Sequence, residues 1–329
     1  MSERLPFVVI LGPTASGKTR LAVQVAAQLT GEIISADSRQ VYRSMDIGTG
    51  KDLAEYTIDN QLIPYHLIDI LDAGDEYNVH RYQQDFARAV TDITNKSRIP
   101  VVCGGTGLYL SAVLNDFQFT AIPVRETLRT ELAELTDEAL RARFAQTTSA
   151  YTPLADTSTR KRLIRAIEIS EFVVRRSWSD VQDSTLPVDY TEPQTPNLKR
   201  HTSNLLFGLD LPVDIRRQRI TARLHDRLNN GMIQEVARLL AGGVSAEKLI
   251  FYGLEYKFIT QFLTGQLDYA TTVARLETAI HQFAKRQMTY FRKMERDGHH
   301  IHWLDAQRPP EELANEIADQ WREKIPTDL

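Results

Sequence analysis

Only one cysteine, Cys103, occurs in the 329 residues. That count excludes an internal disulfide framework and fits a reducing compartment. Long apolar runs are missing too: no stretch approaches the roughly 18 residues that a membrane-spanning helix needs. The N-terminal apolar run, residues 5–11, is also too short for the core of a secretion signal. Nor does one charge dominate, since 39 Lys and Arg stand against 43 Asp and Glu, a formal net charge of −4. The global balance therefore advertises no polyanionic partner, and only a local basic face can serve one. There is no internal repeat and no low-complexity tract. What remains is an ordinary soluble composition, 42% hydrophobic and 25% charged, in a length that suits one large domain or two modest ones. We expect a cytoplasmic protein without membrane attachment.

The apolar segments alternate in kind. Residues 5–11 (LPFVVIL) form a continuous run of strand length, closed by Gly12. Residues 18–29 place Leu21, Val25, Ala26 and Leu29 at helical spacing, and 32–35 read as a second strand. Residues 77–94 carry Val79, Tyr82, Phe86, Val90 and Ile93 on one helical face, and a third strand at 99–103 ends in Gly104-Gly105. Such alternation predicts β-α-β units around a parallel sheet. The pattern then changes to charged helix over 125–144, a basic-starting helix over 160–175 and a polar, Pro-bearing loop over 179–203. A strand at 205–211 and helices at 214–241, 254–264 and 269–296 complete the expected order.

Residues 12–19 read GPTASGKT, a full match to G-x-x-x-x-G-K-[ST] between a buried strand and a helix. In this motif Gly12, Pro13, Thr14, Ala15, Ser16 and Gly17 turn so tightly that backbone N–H groups converge on phosphate oxygens. Lys18 adds a point charge, and the Thr19 hydroxyl suits Mg²⁺ bound to the phosphates. A diphosphate or polyphosphate ligand follows; what the phosphate carries does not. The expected fold class is thus α/β, a P-loop NTPase-like parallel sheet core over residues 1–120 and 204–329, with a helical insertion over 121–203.

A second stretch, EIISADSRQVYRSMDIGTGKD at 32–52, starts as strand and hands over to Asp37, Ser38, Arg39, Gln40 and Tyr42. A nucleotide triphosphatase uses an acid after such a strand to hold Mg²⁺, and a helix N-cap is the simplest role of all. The donors, acceptors and aromatic face that follow are instead equipment for gripping a base. A carboxylate between a diphosphate and a base can accept a proton from an attacking amine.

In order along the chain, GPTASGKT, ISADSRQVYRSMDIGTGKD, PYHLIDILDAGDEYNV and IPVVCGGTGLYLSAVL resemble the tRNA dimethylallyltransferases (tRNA isopentenyltransferases). RKRLIRAIEI is similar to their basic helix and FAKRQMTYFRK to their C-terminal helix, so the likeness runs from residue 8 to residue 293. The resemblance implies transfer of the dimethylallyl group of dimethylallyl diphosphate to the exocyclic N6 amine of the adenosine 3′ of the anticodon. It implies Mg²⁺ as cofactor and the tRNA anticodon stem-loop as partner; we separately expect a monomer. Asp37 matches the general base, Thr106 of GGTGLY a position near the reacting centre, and Arg223 the arginine that meets the diphosphate. Arg219, one helical turn away, is a second diphosphate candidate. The tRNA-contacting set matches Asp37, Ser38, Arg39, Gln40 and Thr106, the segment Lys161, Arg162, Leu163, Ile164 and Arg165, and Lys285, Arg286 and Gln287.

Chemistry makes the set coherent. An exocyclic adenine amine is a poor nucleophile, because its lone pair is delocalised into the ring, so a base helps as the bond forms. The leaving diphosphate gathers charge that Lys18, Arg223, the cradle amides and Mg²⁺ stabilise. Flipping the target base out of the loop costs a few kcal/mol, which phosphate contacts from Arg160, Lys161, Arg162 and Arg165 would offset.

Three tRNA-facing elements depart from the family's pattern. The insertion reads AQTTSAYTPLADTST where a DP-x-x-A segment is usual, the G-Y-[KR] motif appears as FYGLEYK at 251–257, and 280–287 (IHQFAKRQ) lacks the usual Thr and first Arg. The nearest alternative is an adenylate isopentenyltransferase acting on a free nucleotide, which has no use for the basic segment at 160–165. A P-loop kinase or NTPase is opposed by the strand at 99–103, which ends in Gly-Gly-Thr without a Walker-B acid. A non-catalytic anticodon-loop binder is opposed by intact Lys18 and Asp37. Smaller expectations are burial for Cys103, structural roles for His66 and His80, and core positions for Phe283, Tyr290 and Phe291. GHHIHW at 298–303 lacks a cysteine or carboxylate spaced to complete a zinc site.

Overall fold

In the computed structural model, which describes residues 6–115, 118–149, 151–178 and 204–325, the apolar run that opens the chain becomes β1 (Val8–Leu11), buried at every position. A strand buried on both faces is what a central place in a parallel sheet demands. The chain continues through α1 (Lys18–Gln28), β2 (Gly31–Ser35), the short β3 (Thr57–Ile58), β4 (Gln61–Leu62) and β5 (Tyr65–His66). Then come α2 (Val79–Thr94), β6 (Ile99–Gly104) and α3 (Gly107–Asn115). Three helices follow, α4 (Glu126–Ala133), α5 (Asp137–Gln146) and α6 (Arg160–Trp178). β7 (Leu205–Asp210) leads to α7 (Val213–Asn229), α8 (Met232–Ala241), α9 (Ala246–Phe251), α10 (Leu254–Leu263) and α11 (Tyr269–Arg296). β8 (Ile301–Asp305) and α12 (Pro310–Lys324) finish the chain.

Two compact units result, Met1–Asn115 with Thr202–Leu329, and Asp116–His201. In the first, six strands form one sheet in the order β5-β2-β6-β1-β7-β8, every pairing parallel. This is the α/β, P-loop NTPase-like core that the motif implied. Strand alternation divides its interior: Val8 and Ile10 face the layer of α1 and α12, while Val9 and Leu11 face that of α2, α3 and α11. Each such buried side chain stabilises by about 1.5–3 kcal/mol. A third cluster gathers α7, α8, α10 and α11 around Ile220, Leu224, Met232, Tyr256 and Ile280. In the second unit, α4, α5 and α6 close over Leu128, Leu132, Leu140, Leu163 and Ile167.

Several elements differ from their sequence reading. α2 starts at Val79 and not at residue 77, because the Asn78 side chain caps it by accepting from Arg81 N at 2.9 Å. The helix expected over 214–241 is two, broken at Gly231 with φ 100°, a left-handed turn that glycine takes freely. GHHIHW leads into β8, the edge strand beside β7. α3 and α12 had no counterpart in that reading; GLYLSAVLN at 107–115 is too uniformly apolar to show a period. The loop expected at 179–203 lies outside the described residues. Among the described residues no helix is long and apolar enough to cross a membrane.

Candidate active site

β1, β2 and β6 are neighbours in register and end at the same edge of the sheet. Open parallel sheets hold their ligands at that carboxyl edge. β1 passes into the turn at 12–17, where Ala15 (φ 61°) and Gly17 (φ 88°) are both left-handed. Such residues between right-handed ones aim successive N–H groups into a concavity that suits an anion. Gly12 is required by close approach: a Cβ there would lie 2.7 Å from Ser16 Oγ. Gly12, Pro13 and Ser16 are buried and shape the turn, while Thr14, Ala15, Gly17, Lys18 and Thr19 line the cavity.

Lys18 and Thr19 begin α1, where the helix N-terminus favours negative charge. Desolvation lowers the proton affinity of the Lys18 ammonium; Cys103 and Asp37 oppose that effect and Arg223 adds to it. An anion in the cradle would reverse the shift. Beneath, burial pushes the Cys103 thiol up to about 12, with the Lys18 ammonium opposing it. The thiol is therefore a neutral packing group at physiological pH, as expected of it.

β2 leads into Ala36, whose carbonyl accepts from Thr106 N at 3.1 Å. Thr106 Oγ1 in turn accepts from Ser38 N at 3.1 Å, so the loops after β2 and β6 brace each other. Gly104 permits this, since a Cβ there would come within 2.3 Å of Ala36 O. Asp37 is oriented by a local turn in which Oδ1 accepts from Arg39 N at 3.0 Å. Oδ2 has no hydrogen-bond partner among the described residues. Gln40 accepts from Ser35 Oγ at 2.9 Å and donates to Gly50 O at 3.2 Å, which makes it a strut. Arg39 pairs with Glu255 at 3.1 Å, and its guanidinium lies over the Phe283 ring at 4.9 Å.

The opposite walls come from late in the chain. Arg219, Arg223 and Arg227, on successive turns of α7, all line the cavity. Arg223 and Arg227 share the Asp52 carboxylate, Arg227 at 3.3 Å. Burial alone would push the Asp52 carboxyl up, but Arg223 and then Arg227 outweigh it and hold it below its ordinary value. Glu55 is shifted upward, by desolvation first and then by Asp52. From α11, Phe283, Arg286, Gln287 and Tyr290 line the cavity, and Lys285 stands exposed outside it.

The core reading thus holds for Phe291, which is fully buried, and is corrected for Phe283 and Tyr290, which α11 turns toward the cavity. Gln287 is also a brace: Oε1 accepts from Thr14 N and Nε2 donates to Gly105 O, both at 2.9 Å. That buried amide ties α11 to the cradle and to the loop after β6.

The cavity these walls enclose measures about 460 Å³, within the roughly 300–1,000 Å³ of ligand pockets. It brings together Asp37, Ser38, Arg39, Gln40, Thr106, Lys18, Thr19, Arg219, Arg223, Arg286 and Gln287. Sequence reading missed Asp52, Glu55, Arg227 and Glu255. Arg227 had a signal, the i, i+4, i+8 spacing with Arg219 and Arg223 on one helix face; the acids had none. For a divalent cation the donors are hard oxygens, Thr19 hydroxyl with the Asp37 and Glu55 carboxylates in the same wall. Among the described residues no group of three or more His, Cys, Asp or Glu forms a cage. Hard oxygens of this kind fit Mg²⁺, which is commonly held by one or two protein oxygens together with substrate phosphates.

The basic segment of α6 is differently occupied. Leu163, 2% exposed, is core, and Ile164 packs against it. Arg160 bonds Asp137 at 2.5 Å and the carbonyls of Ala133 and Leu135 at 2.9 and 2.6 Å. Arg162 pairs with Asp156 at 2.9 Å, and Arg165 with the buried Glu168 at 2.5 Å. Lys161 is exposed and without a partner among the described residues. Of the run expected to face RNA, Leu163 is buried, Arg160, Arg162 and Arg165 carry ion pairs, and Lys161 stands without one among the described residues.

A family model described as IPP transferase matches residues 40–294, and one described as isopentenyl transferase matches residues 6–61. The chain is 48% identical over 316 residues to tRNA dimethylallyltransferase 2 of Bacteroides fragilis, covering 96% of this chain and 98% of that protein. It is 51% identical to tRNA dimethylallyltransferase 2 of Porphyromonas gingivalis, over 94% of this chain and 97% of that one. The crystal structure of the full-length tRNA isopentenylpyrophosphate transferase from Bacillus halodurans aligns with TM-score 0.67 and 29% identity, covering 98% of each chain.

Proposed function

The chain belongs to the IPP transferase family, and on that premise we propose how its pocket moves a dimethylallyl group from dimethylallyl diphosphate to the N6 amine of the adenosine 3′ of a tRNA anticodon. The diphosphate lies in the turn at 12–19, on the N–H groups that precede α1 and on Lys18, with Arg223 and Arg219 on its far side. The flipped adenine enters beside Asp37, among Ser38, Arg39, Thr106, Phe283 and Tyr290. As N6 attacks, the new N–C bond forms and the C–O bond to the diphosphate breaks, its electron pair leaving with the diphosphate. The N6 proton passes to Asp37 Oδ2, the oxygen that the turn to Arg39 leaves unengaged. Lys18 and the arginines act where charge develops, on the departing oxygen. Mg²⁺, held by Thr19 and the phosphates, would supply further neutralisation of that oxygen.

One observation carries this reading. A single cavity is walled on one side by the phosphate turn and on another by an acid, Asp37, that one hydrogen bond orients. We take the enzyme to act as a cytoplasmic monomer, and a dimer mass in sedimentation would overturn the latter. Labelled dimethylallyl diphosphate offered with unmodified tRNA, AMP or ATP tests the whole: label is expected on tRNA, and label on free nucleotide alone would sink the tRNA reading.

A further inference from the structure

Asp52 touches two of the three cavity-facing arginines of α7, and no step above uses it. Its Oδ2 accepts from Nη2 of Arg223 and, at 3.3 Å, from Nη2 of Arg227. The loop that presents it is fastened from both ends. Glu235, 3% exposed, collects the backbone N–H groups of Asp46, Ile47 and Gly48 at 2.9, 2.7 and 3.0 Å. Lys51, 1% exposed, bonds Tyr42 O at 2.7 Å, Asp46 at 2.6 Å and Asp69. At Gly50 (φ 67°) a Cβ would lie 1.8 Å from Arg227 Nη2 and 2.6 Å from Arg223 Nη2, so glycine alone lets the backbone meet both guanidiniums. Two residues on, Asp52 holds a left-handed conformation (φ 45°) that most residues avoid. A strained residue on a pinned loop is a built feature.

The two arginines differ in freedom. Arg227 has 13% of its side chain exposed and Arg223 has 30%. A largely buried guanidinium left unpaired is costly, so Arg227 needs Asp52. Arg223 is the one that can turn to a ligand, and the ligand brings what Asp52 already offers, anionic oxygen. We propose that Asp52 is a resident counter-anion of the diphosphate site. As a positioning residue it orders Arg223 and Arg227 before a ligand binds, then competes with the diphosphate for Arg223, so that the product diphosphate is held less tightly than the cations alone would hold it. This rests on the diphosphate assignment made above.

Titration calorimetry with inorganic pyrophosphate on the full chain tests it, comparing wild type with Asp52→Asn, Asp52→Ser and Asp52→Glu. Asn keeps the shape and tolerates the left-handed backbone, and Ser provides a second neutral side chain should Asn fold poorly. Removing one unit charge beside a polyanion should tighten pyrophosphate binding roughly three- to tenfold in the neutral variants. KM for dimethylallyl diphosphate should fall by a like factor with no gain in kcat. Asp52→Glu, which restores the charge, should return affinity toward wild type. Neutral variants that bind pyrophosphate as wild type does, or more weakly, would overturn the competition and leave Asp52 only ordering the arginines. Because this binding is read without tRNA, a wild type that failed to label tRNA would count against the proposed function and leave the comparison standing.

Discussion

Helix α6 and the cavity face of α7 are both rich in arginine, and they use the charge in opposite ways. On α6, Arg160, Arg162 and Arg165 each meet a carboxylate, Asp137, Asp156 and Glu168. Glu168 shows how far this goes: burial would raise its carboxyl, yet the Arg125 N–H, Arg165 and Arg129 together hold it below the ordinary value. Arg160 thereby ties α6 to α5, and Arg129 ties α4 to Glu168, while the Arg162 and Arg165 pairs are local to α6 and the turn before it. On α7, Arg223 and Arg227 divide a single carboxylate, and Arg219 has no partner among the described residues. Charge free to meet phosphate is charge not already matched, and a count of basic residues cannot separate the two.

The largest effects should come from the pocket. Asp37→Asn removes the proton acceptor, so kcat should fall by about 10²–10⁴, with pyrophosphate affinity retained in calorimetry; near-normal turnover would remove Asp37 from the mechanism. Arg223→Ala should cost roughly 10²-fold in kcat/KM. On the other side of the comparison, Arg162→Ala should leave transfer from saturating diphosphate unchanged, because its charge is spent on Asp156. Equal losses from both arginines, in the same steady-state assay, would mean that matched and unmatched charge serve the reaction alike.

Two intermediate effects concern stability. Arg165→Ala strips a partner from the buried Glu168; with Arg129 and the Arg125 N–H remaining, the loss should be about 1–3 kcal/mol, read as an earlier thermal transition. Were Arg165 an RNA contact alone, the melt would not move. Gln287→Ala orphans Thr14 N–H and Gly105 O, a similar loss of about 1–3 kcal/mol. Because those two groups belong to the cradle and to the loop after β6, KM for dimethylallyl diphosphate should rise with it. A lower melting temperature with unchanged KM would show that Gln287 holds α11 without shaping the cradle.

Legibility in the sequence followed range. The cradle is eight consecutive residues whose chemistry is local, so its place between β1 and α1 could be read directly. The opening strands and α2 were readable because one period covers each. What escaped depends on partners distant in the chain: Gln287 reaches Thr14, Glu235 gathers residues 46–48, and Arg39 finds Glu255. The same reason hid Asp52, whose neighbours in sequence, Lys51 and Leu53, say nothing of two arginines on α7. Phe283 and Tyr290 show the converse, since helical spacing put them on an apolar face without telling whether that face met a core or a cavity.

The smallest effect sharpens the comparison most. If matched charge is unavailable to RNA, then of the basic residues at 160–165 only Lys161 should register in binding. Each phosphate contact contributes about 0.7–0.9 to the slope of log K against log salt. Lys161→Ala should therefore flatten that slope for tRNA by somewhat less than one unit while leaving the melting temperature unchanged. Arg162→Ala, which releases Asp156 and Ser158 Oγ on an exposed surface, should leave both nearly unaltered: exposed pairs contribute little to stability, about 0–1 kcal/mol, and a guanidinium engaged by Asp156 adds no free cation to the slope. A slope that falls equally in both variants would mean that RNA recruits the arginine away from Asp156, and the pairing seen on α6 would then describe only the protein without its substrate.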